Sequence, residues 1–376
     1  MHVNWLVSRP NYPVEYNITV SLIHILKYNG IDNQWLNKDI LRFVEIIMKN
    51  KTLGIKKLQI SNLGLGCMGM SEYYGKTNDL ESVKTIHRAF ELGVTHFDTA
   101  DCYGLGHNER LLAGAIKGFR DKVVIASKCG LVRSSETGEV LGVNGNPKYI
   151  KDACIATLKR LEVDYLDLLY LHRVDPNTPI EESVGALSEL VAEGKVRHIG
   201  LSEVSAKTIA KAHSIHPLTA IQSEYSLWHR KPEEEIIPLC QSLNIGFVAH
   251  GPMGKGFFTG TIASLDTLEK DDLRRVLPRF QPENIKHNLQ MISVLRDIGH
   301  NQGVTPGQIA LAWVLNQADN VVAIAGTKQV AHLEENVNAA DLNLSSAELL
   351  QIEQHISLNF AHGDLLPESF AKLSEQ

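Results

Sequence analysis

The strongest constraint on the fold is an alternation of short apolar segments with longer amphipathic ones, beginning near residue 58. The short segments end in polar residues, as in HFDTADCYG, VVIASKCG and LLYLHR, whereas the longer ones, such as ESVKTIHRAFELG, have apolar residues at helical spacing. Cys67, Asp98 and Lys128, which end the first three short segments, lie roughly thirty residues apart, the length of a βαβ unit. About eight such units follow one another, which predicts a parallel sheet with a helix after each strand.

Two further features favour a closed barrel over an open sheet. The segments LDLLYL and VVIA are almost continuously apolar, as expected of parallel strands covered on both faces. The first strand is not followed by the GxGxxG turn of open dinucleotide-binding sheets. We therefore predict an α/β fold, a single-domain (β/α)8 TIM barrel over residues 48–376, with its site at the C-terminal ends of the strands. The long segment over roughly residues 252–285 is predicted to be a loop on that face, able to act as a flap.

Residues 1–47 stand outside the alternation. They contain the apolar stretch ITVSLIHIL and an amphipathic run near DILRFVEIIM. No basic cluster precedes the apolar stretch, His24 interrupts it and no small-residue cleavage site follows, so the segment does not resemble a secretory signal. We interpret residues 1–47 as an N-terminal helical extension of uncertain status, and Met48 as an alternative start of translation.

Composition argues against several classes of protein. The net charge is −6 with both signs interspersed, which argues against a nucleic-acid surface, and no run approaches the roughly 18 apolar residues of a membrane helix. The cysteines have neither CxxC nor metal-ligand spacing; they are Cys67, Cys102, Cys129, Cys154 and Cys240. We expect a cytoplasmic protein with reduced thiols that binds neither nucleic acid nor membrane, and the sequence leaves its oligomeric state open.

Four side chains of different chemistry, here called the tetrad, lie at or just after the ends of strands two to four: Asp98, Tyr103, Lys128 and His172. A carbonyl that accepts a hydride needs a proton, and a tyrosine with a pKa of about 10 donates one poorly near neutrality. We expect the ammonium of Lys128 to lower that pKa, and Asp98 to keep Lys128 charged. His172 would donate a hydrogen bond to the carbonyl oxygen. Each residue alone is explained by packing or by a structural ion pair, but the four together indicate catalysis.

Six segments resemble motifs of the aldo-keto reductase superfamily, in the same order: GLGCMGMSEYYG, GVTHFDTADCYG, ASKCG, DLLYLHR, VRHIGLSE and GTKQVAHLEENV. The resemblance covers about residues 48–355 and is greatest to the bacterial and plant branch, which includes pyridoxal-reductase-like members and others that reduce small aldehydes. It implies that the tetrad is catalytic, with Tyr103 as general acid in the NADPH-dependent reduction of an aldehyde or ketone to an alcohol. It implies a small carbonyl substrate and no metal, and leaves NADH possible as cofactor.

The resemblance also implies where the cofactor binds. Ser202 and Gln222 match residues that hold the nicotinamide carboxamide, and His250 stands where a tyrosine stacks on the ring. After the last strand, a helix N-terminus with a nearby Lys328 offers N–H groups and positive charge to a phosphate. The full set implied is Ser202, Gln222, His250, Gly251, Pro252, Met253, Lys255, Gly326, Thr327, Lys328, His332, Glu335 and Asn336.

Two alternatives remain open from the sequence. An NADPH-binding redox sensor or regulatory subunit with little turnover is kept open by His250 and Gly251, where related chains have Tyr and Ser. A barrel aldolase or isomerase would use Lys128 as a Schiff base and would need a neutral amine, which Asp98 opposes.

Overall fold

The computed structural model describes residues 48–375, so the extension predicted over residues 1–47 lies outside the described residues. Its centre is a closed barrel of eight parallel strands, which confirms the predicted (β/α)8 architecture. The barrel strands are β3 (Leu63–Gly66), β4 (His96–Asp98), β5 (Val124–Cys129), β8 (Leu166–Leu171), β9 (Val196–Ser202), β10 (Ala220–Glu224), β11 (Gly246–His250) and β12 (Val321–Gly326). Two antiparallel hairpins accompany it, formed by β1 (Asn50–Leu53) with β2 (Leu58–Ser61) and by β6 (Leu131–Arg133) with β7 (Val140–Val143).

A helix follows each barrel strand. The α-helices are α1 (Asp79–Glu91), α2 (His107–Ile116), α3 (Pro147–Leu161), α4 (Ile180–Ala192), α5 (Ala206–Ile215), α6 (Ile236–Ser242), α7 (Pro282–Asn288), α8 (Gln290–Gln302), α9 (Pro306–Leu315), α10 (Val330–Ala339), α11 (Ser346–His355) and α12 (Glu368–Ala371). Within residues 48–375, no helix combines the length and the apolar character needed to cross a bilayer.

Local sequence explains where several elements begin. All six residues of β8 are buried, as its continuous apolar run requires. Helix α1 begins after Asn78, whose side chain accepts hydrogen bonds from two backbone N–H groups of the first turn. Helix α9 begins with a capping box in which Thr305 and Gln308 exchange hydrogen bonds, and Pro306 occupies the first helical position. The helix starts therefore follow from residues adjacent in sequence.

The first hairpin packs into the core at the N-terminal end of the barrel. Leu53, Leu58 and Ile60 are buried in the same apolar cluster as residues of β5, β8, β10, β11 and β12. An added Cβ at Gly246, the first residue of β11, would come within 2.6 Å of the Leu53 side chain. The apolar stretch over residues 58–66 therefore forms two strands rather than one: β2 belongs to the hairpin and only β3 to the barrel.

The segment after β11 is a loop with short 3-10 turns, as predicted, and it is well packed. Its turns are Phe257–Thr259, Leu265–Thr267, Leu273–Val276 and Pro278–Phe280. Phe257, Phe258 and Phe280 are buried and surround Trp228, with ring centroids 4.7–5.5 Å from that of the tryptophan. This aromatic cluster holds the loop against the segment that follows β10. A flap motion of the loop therefore either carries Trp228 with it or breaks these ring contacts.

Candidate active site

The barrel brings the four tetrad residues together on one rim. Asp98 is the last residue of β4, Lys128 lies near the end of β5, His172 follows β8 directly and Tyr103 begins a helical turn after β4. The carboxyl ends of parallel barrel strands all open onto one face, which explains how residues far apart in sequence meet.

The ammonium of Lys128 has a protein partner for each of its three hydrogens. Nζ donates to Asp98 Oδ1, to the carbonyl oxygen of Thr99 at 2.9 Å and to the hydroxyl oxygen of Tyr103 at 3.2 Å. The other carboxylate oxygen of Asp98 accepts a hydrogen bond of 2.8 Å from Gln222 Nε2. Lys128 and Asp98 are 1% and 2% exposed, so each charge depends on the other for its stability in the interior.

The pKa of Tyr103 shifts in the direction opposite to the one expected from the sequence. Burial of the phenol, reinforced by the negative charge of Asp98, raises its pKa well above the ordinary value. The net pKa is therefore raised rather than lowered, although Lys128 donates a hydrogen bond to the phenol oxygen. Because the hydroxyl oxygen already accepts a bond from Lys128, its own hydrogen remains free to be donated elsewhere.

His172 is buried and held by its surroundings. Its backbone N–H donates to the Cys129 carbonyl oxygen at 2.7 Å, and its ring meets that of Tyr103 edge-on, with centroids 6.0 Å apart. Burial, followed by the positive charges of Arg173 and Lys128, lowers the pKa of His172 well below the usual value. The imidazole is therefore neutral near pH 7, the form that can donate one N–H without carrying a charge.

The residues expected to bind the cofactor lie at the ends of β9 to β12 and in the segments that follow β11 and β12, a region here called the cradle. At the end of β9, Ser202 Oγ accepts a bond of 3.4 Å from Arg173, and Glu203 follows in a left-handed conformation with φ 57°. Glu203 Oε1 accepts a bond of 2.6 Å from His250 Nε2 and one of 2.8 Å from the backbone N–H of Glu224. Burial alone would raise the pKa of Glu203, but the hydrogen bond and charge of His250 outweigh burial and hold it well below its usual range.

The turn after β11 carries the next part of the cradle. Gly251 has a φ of 62°, a left-handed conformation that glycine adopts without strain. Pro252 is buried and Met253 is half-buried. Lys255 forms a buried ion pair with Glu224, the last residue of β10. The positive charge expected to face the cofactor is thus neutralised by a protein carboxylate in this structure.

The end of β12 and the start of α10 complete the cradle. Lys328 Nζ donates to the carbonyl oxygens of Tyr74, Gly75 and Lys76 at 2.8, 3.2 and 2.5 Å, so it ties down the loop after β3. Farther along, Glu335 accepts a bond of 2.5 Å from Thr305 Oγ1. Of the other residues predicted to bind the cofactor here, Gly326 and His332 are exposed, Thr327 is half-buried and Asn336 is buried.

Sequence reasoning missed Arg133, which lies beside the tetrad. Arg133 Nη1 is paired with both oxygens of Glu72 at 2.8 and 2.7 Å and also donates to the Cys102 carbonyl oxygen at 2.7 Å. Arg133 and Tyr73 line a groove of about 410 Å³ together with residues of the second hairpin and of α12, among them Leu141 and Phe370. Glu72 and Tyr73 belong to the segment GLGCMGMSEYYG, but no short motif marks Arg133, Leu141 or Phe370, because the groove joins segments more than two hundred residues apart.

Comparison with known proteins agrees with the geometry. The model of the Aldo/keto reductase family matches residues 62–357. The chain is 42% identical over 313 residues to "Probable aldo-keto reductase 1" of Glycine max, which covers 83% of this chain and 90% of that protein.

Solved structures show the same relationship. A glycerol dehydrogenase from Gluconobacter oxydans has a TM-score of 0.75 and 28% identity, and the match covers 82% of this chain and 97% of that one. An aldo/keto reductase from Klebsiella pneumoniae, solved in complex with NADP and acetate, has a TM-score of 0.66 and 26% identity, with 85% and 99% covered. On the family match and on these relatives, this chain belongs to the aldo/keto reductase family and is an oxidoreductase.

Proposed function

We propose that this protein catalyses the NADPH-dependent reduction of a small aldehyde or ketone to an alcohol, with Tyr103 as the general acid. The observation that carries the proposal is the bonding of Lys128. Because its third hydrogen is donated to the oxygen of Tyr103, the phenolic hydrogen is directed away from the lysine and is available to a substrate. The raised pKa keeps Tyr103 protonated near neutrality, and the ammonium of Lys128, which contacts the phenol oxygen, offsets part of the cost of releasing the proton when negative charge develops on the carbonyl oxygen.

Each tetrad residue then has one task. The N–H of neutral His172 donates to the carbonyl oxygen and orients the substrate beside Tyr103. As Tyr103 gives up its proton, the ammonium of Lys128 stabilises the phenolate, and Asp98 keeps that ammonium charged and oriented. The stabilising charges are in place before the reaction, so they need no rearrangement during it.

The cradle fits a nicotinamide dinucleotide. The Klebsiella pneumoniae relative was solved with NADP, and here the ends of β9 to β12 offer hydroxyl, amide, imidazole and two lysine side chains. Ser202 and Gln222 would hold the carboxamide, His250, which is 30% exposed at its side chain, would face the ring, and Lys255 and Lys328 would meet the phosphates. When bound, the cofactor supplies the hydride. The two lysines would exchange their protein partners for the cofactor.

The Schiff-base alternative is not supported by the structure. Lys128 is buried, paired with Asp98 and engaged through all three hydrogens, so it has neither the neutral amine nor the access that attack on a carbonyl requires.

The proposal is tested with purified protein by following NADPH consumption in the presence of uncharged aldehydes, alongside a titration of NADPH binding. We expect turnover that depends on both the aldehyde and the enzyme. Tight NADPH binding with turnover near background for every aldehyde would contradict the proposal and favour the redox-sensor function.

A further inference from the structure

We propose that Cys102 is a positioning residue whose thiol fixes the tautomer of His172, so that Nε2 carries the hydrogen donated to the substrate. This inference rests on the function proposed above. Cys102 immediately precedes Tyr103 in the chain and is 6% exposed. Its Sγ lies 3.6 Å from His172 Nδ1, within the longer reach of a hydrogen bond to sulfur.

The protonation states of the two groups decide the direction of this bond. Burial, with a further contribution from Asp101, raises the pKa of the Cys102 thiol, so the sulfur keeps its hydrogen near neutrality. His172 is neutral because burial lowers its pKa, and a neutral imidazole carries hydrogen on one nitrogen only. A thiol that donates to Nδ1 selects the tautomer with hydrogen on Nε2. In the opposite tautomer, Nδ1 would have to donate to sulfur, which is a weak acceptor.

The backbone around Cys102 holds the thiol in place. The Cys102 carbonyl oxygen accepts bonds from Arg133 Nη1 at 2.7 Å and from the backbone N–H of Leu105 at 3.2 Å. Arg133 is itself fixed by its ion pair with Glu72, in which both side chains are largely buried. These contacts fix the backbone at Cys102, the residue whose thiol contacts His172.

The other ring nitrogen is left for the substrate. Within residues 48–375, the hydrogen-bond partner found for the His172 ring is Cys102 at Nδ1, and none is found for Nε2. Only the tautomer with hydrogen on Nε2 presents a donor at that free position. Loss of the thiol would let both tautomers form, and it would lower the fraction of enzyme able to donate to the carbonyl oxygen.

NMR spectroscopy of the histidine nitrogens identifies the tautomer of His172 directly. The full-length protein is labelled with ¹⁵N-histidine, and long-range ¹H–¹⁵N correlation spectra are recorded without cofactor or substrate, with the His172 signals assigned by their loss in His172→Gln. We expect hydrogen on Nε2 in the wild type and a mixture of tautomers in Cys102→Ala. Cys102→Ser, which keeps a donor, should retain the wild-type tautomer. Cys154→Ala, which removes a buried thiol from α3, is the control and should change nothing.

Kinetics provide the second measurement. Cys102→Ala should lower kcat about 3- to 10-fold, the range expected from one net hydrogen bond, while KM for the aldehyde and Kd for NADPH stay near wild type. Cys102→Ser should recover most of that loss. Hydrogen on Nδ1 in the wild type, or an unchanged tautomer in Cys102→Ala, would overturn the inference. Because the spectra need no turnover, they separate failure of this inference from failure of the proposed reaction.

Discussion

The tetrad and the cradle occupy the same rim but differ in how their polar groups are bonded. In the tetrad, the contacts already present are those the proposed reaction needs, from Asp98 through Lys128 to Tyr103. In the cradle, the groups proposed to meet the cofactor are bonded to the protein itself: Lys255 to Glu224, and Lys328 to three carbonyl oxygens. The tetrad is therefore preorganised, whereas the cradle has to exchange partners when the cofactor binds.

Left-handed backbone conformations occur at residues of the cradle and also at Leu105 (φ 53°), two residues after Tyr103. Glu203 and Lys255 in the cradle have φ values of 57° and 56°, in a left-handed region that costs roughly 1–2 kcal/mol for a residue other than glycine. Tyr73, which lines the neighbouring groove, has a φ of 74°. Such conformations persist where the surrounding structure holds them, and they concentrate at sites that bind ligands. None of the four tetrad residues has a positive φ.

The largest expected effect comes from breaking the tetrad at its centre. Lys128→Met removes the ammonium that stabilises the phenolate of Tyr103, and it leaves Asp98 buried without its partner. We expect kcat to fall about 10³-fold and the free energy of unfolding to fall by about 3–5 kcal/mol. Steady-state kinetics and denaturant unfolding measure the two losses. The double variant Asp98→Asn with Lys128→Met should recover stability but not activity, and recovery of both would contradict the assigned roles.

The next largest effect is expected on the preference for NADPH over NADH, through Lys328. Lys328→Ala should weaken NADPH binding about 10- to 100-fold, because a charge-assisted bond to the 2′-phosphate is lost, and it should weaken NADH binding much less. The substitution also removes the hydrogen bonds from Lys328 to the backbone of residues 74–76, whichever cofactor binds. A loss of affinity that is common to NADPH and NADH therefore measures the contribution of that loop. Fluorescence titrations with NADPH and NADH measure the ratio. Equal losses for the two would count against the assignment of Lys328.

A smaller effect tests partner exchange in the cradle. Glu224→Gln removes the carboxylate that neutralises Lys255, so Lys255 reaches the cofactor without first leaving an ion pair. We expect NADPH and NADH each to bind about 3- to 10-fold more tightly, since the phosphates near this lysine are common to both. Isothermal titration of both cofactors measures this change. Weaker binding would show that the Glu224–Lys255 pair shapes the cradle rather than competing with the cofactor.

The smallest effect concerns stability and pH. Burial, with the nearby charge of Glu109, raises the pKa of Asp101 to about 7 from 3.8, and its Oδ1 is buried without a partner. Between pH 3.8 and about pH 7, Asp101 is largely protonated in the folded state and largely ionised in the unfolded state. Its contribution to the free energy of unfolding therefore falls as the pH rises through this range. Asp101→Asn should be more stable than the wild type by about 1 kcal/mol at pH 8 and near equal to it at pH 4, as measured by urea unfolding. A larger gain at low pH than at high pH would contradict this sign.

The tetrad and the cradle also differ in how far they could be predicted from the sequence. The strand ends and the meeting of Asp98, Lys128 and His172 could be predicted, because strand periodicity and the parallel barrel fix both. The break between β2 and β3 could not, because both segments are apolar and their separation depends on packing across the barrel. The upward pKa shift of Tyr103 also escaped prediction, since it depends on burial by segments distant in sequence. The partners of Lys328 depend on loop conformation, which residue types alone do not determine.

The most direct test of the proposed mechanism is the rate of hydride transfer in Tyr103→Phe, measured in a single turnover with bound NADPH and a saturating uncharged aldehyde. The substitution removes one oxygen and its hydrogen and keeps the ring that meets His172 edge-on. We predict that the rate falls at least about 100-fold while the Kd for NADPH stays near wild type, because the proton donor is lost and the cradle is untouched. A rate close to that of the wild type would contradict the assignment of Tyr103 as general acid.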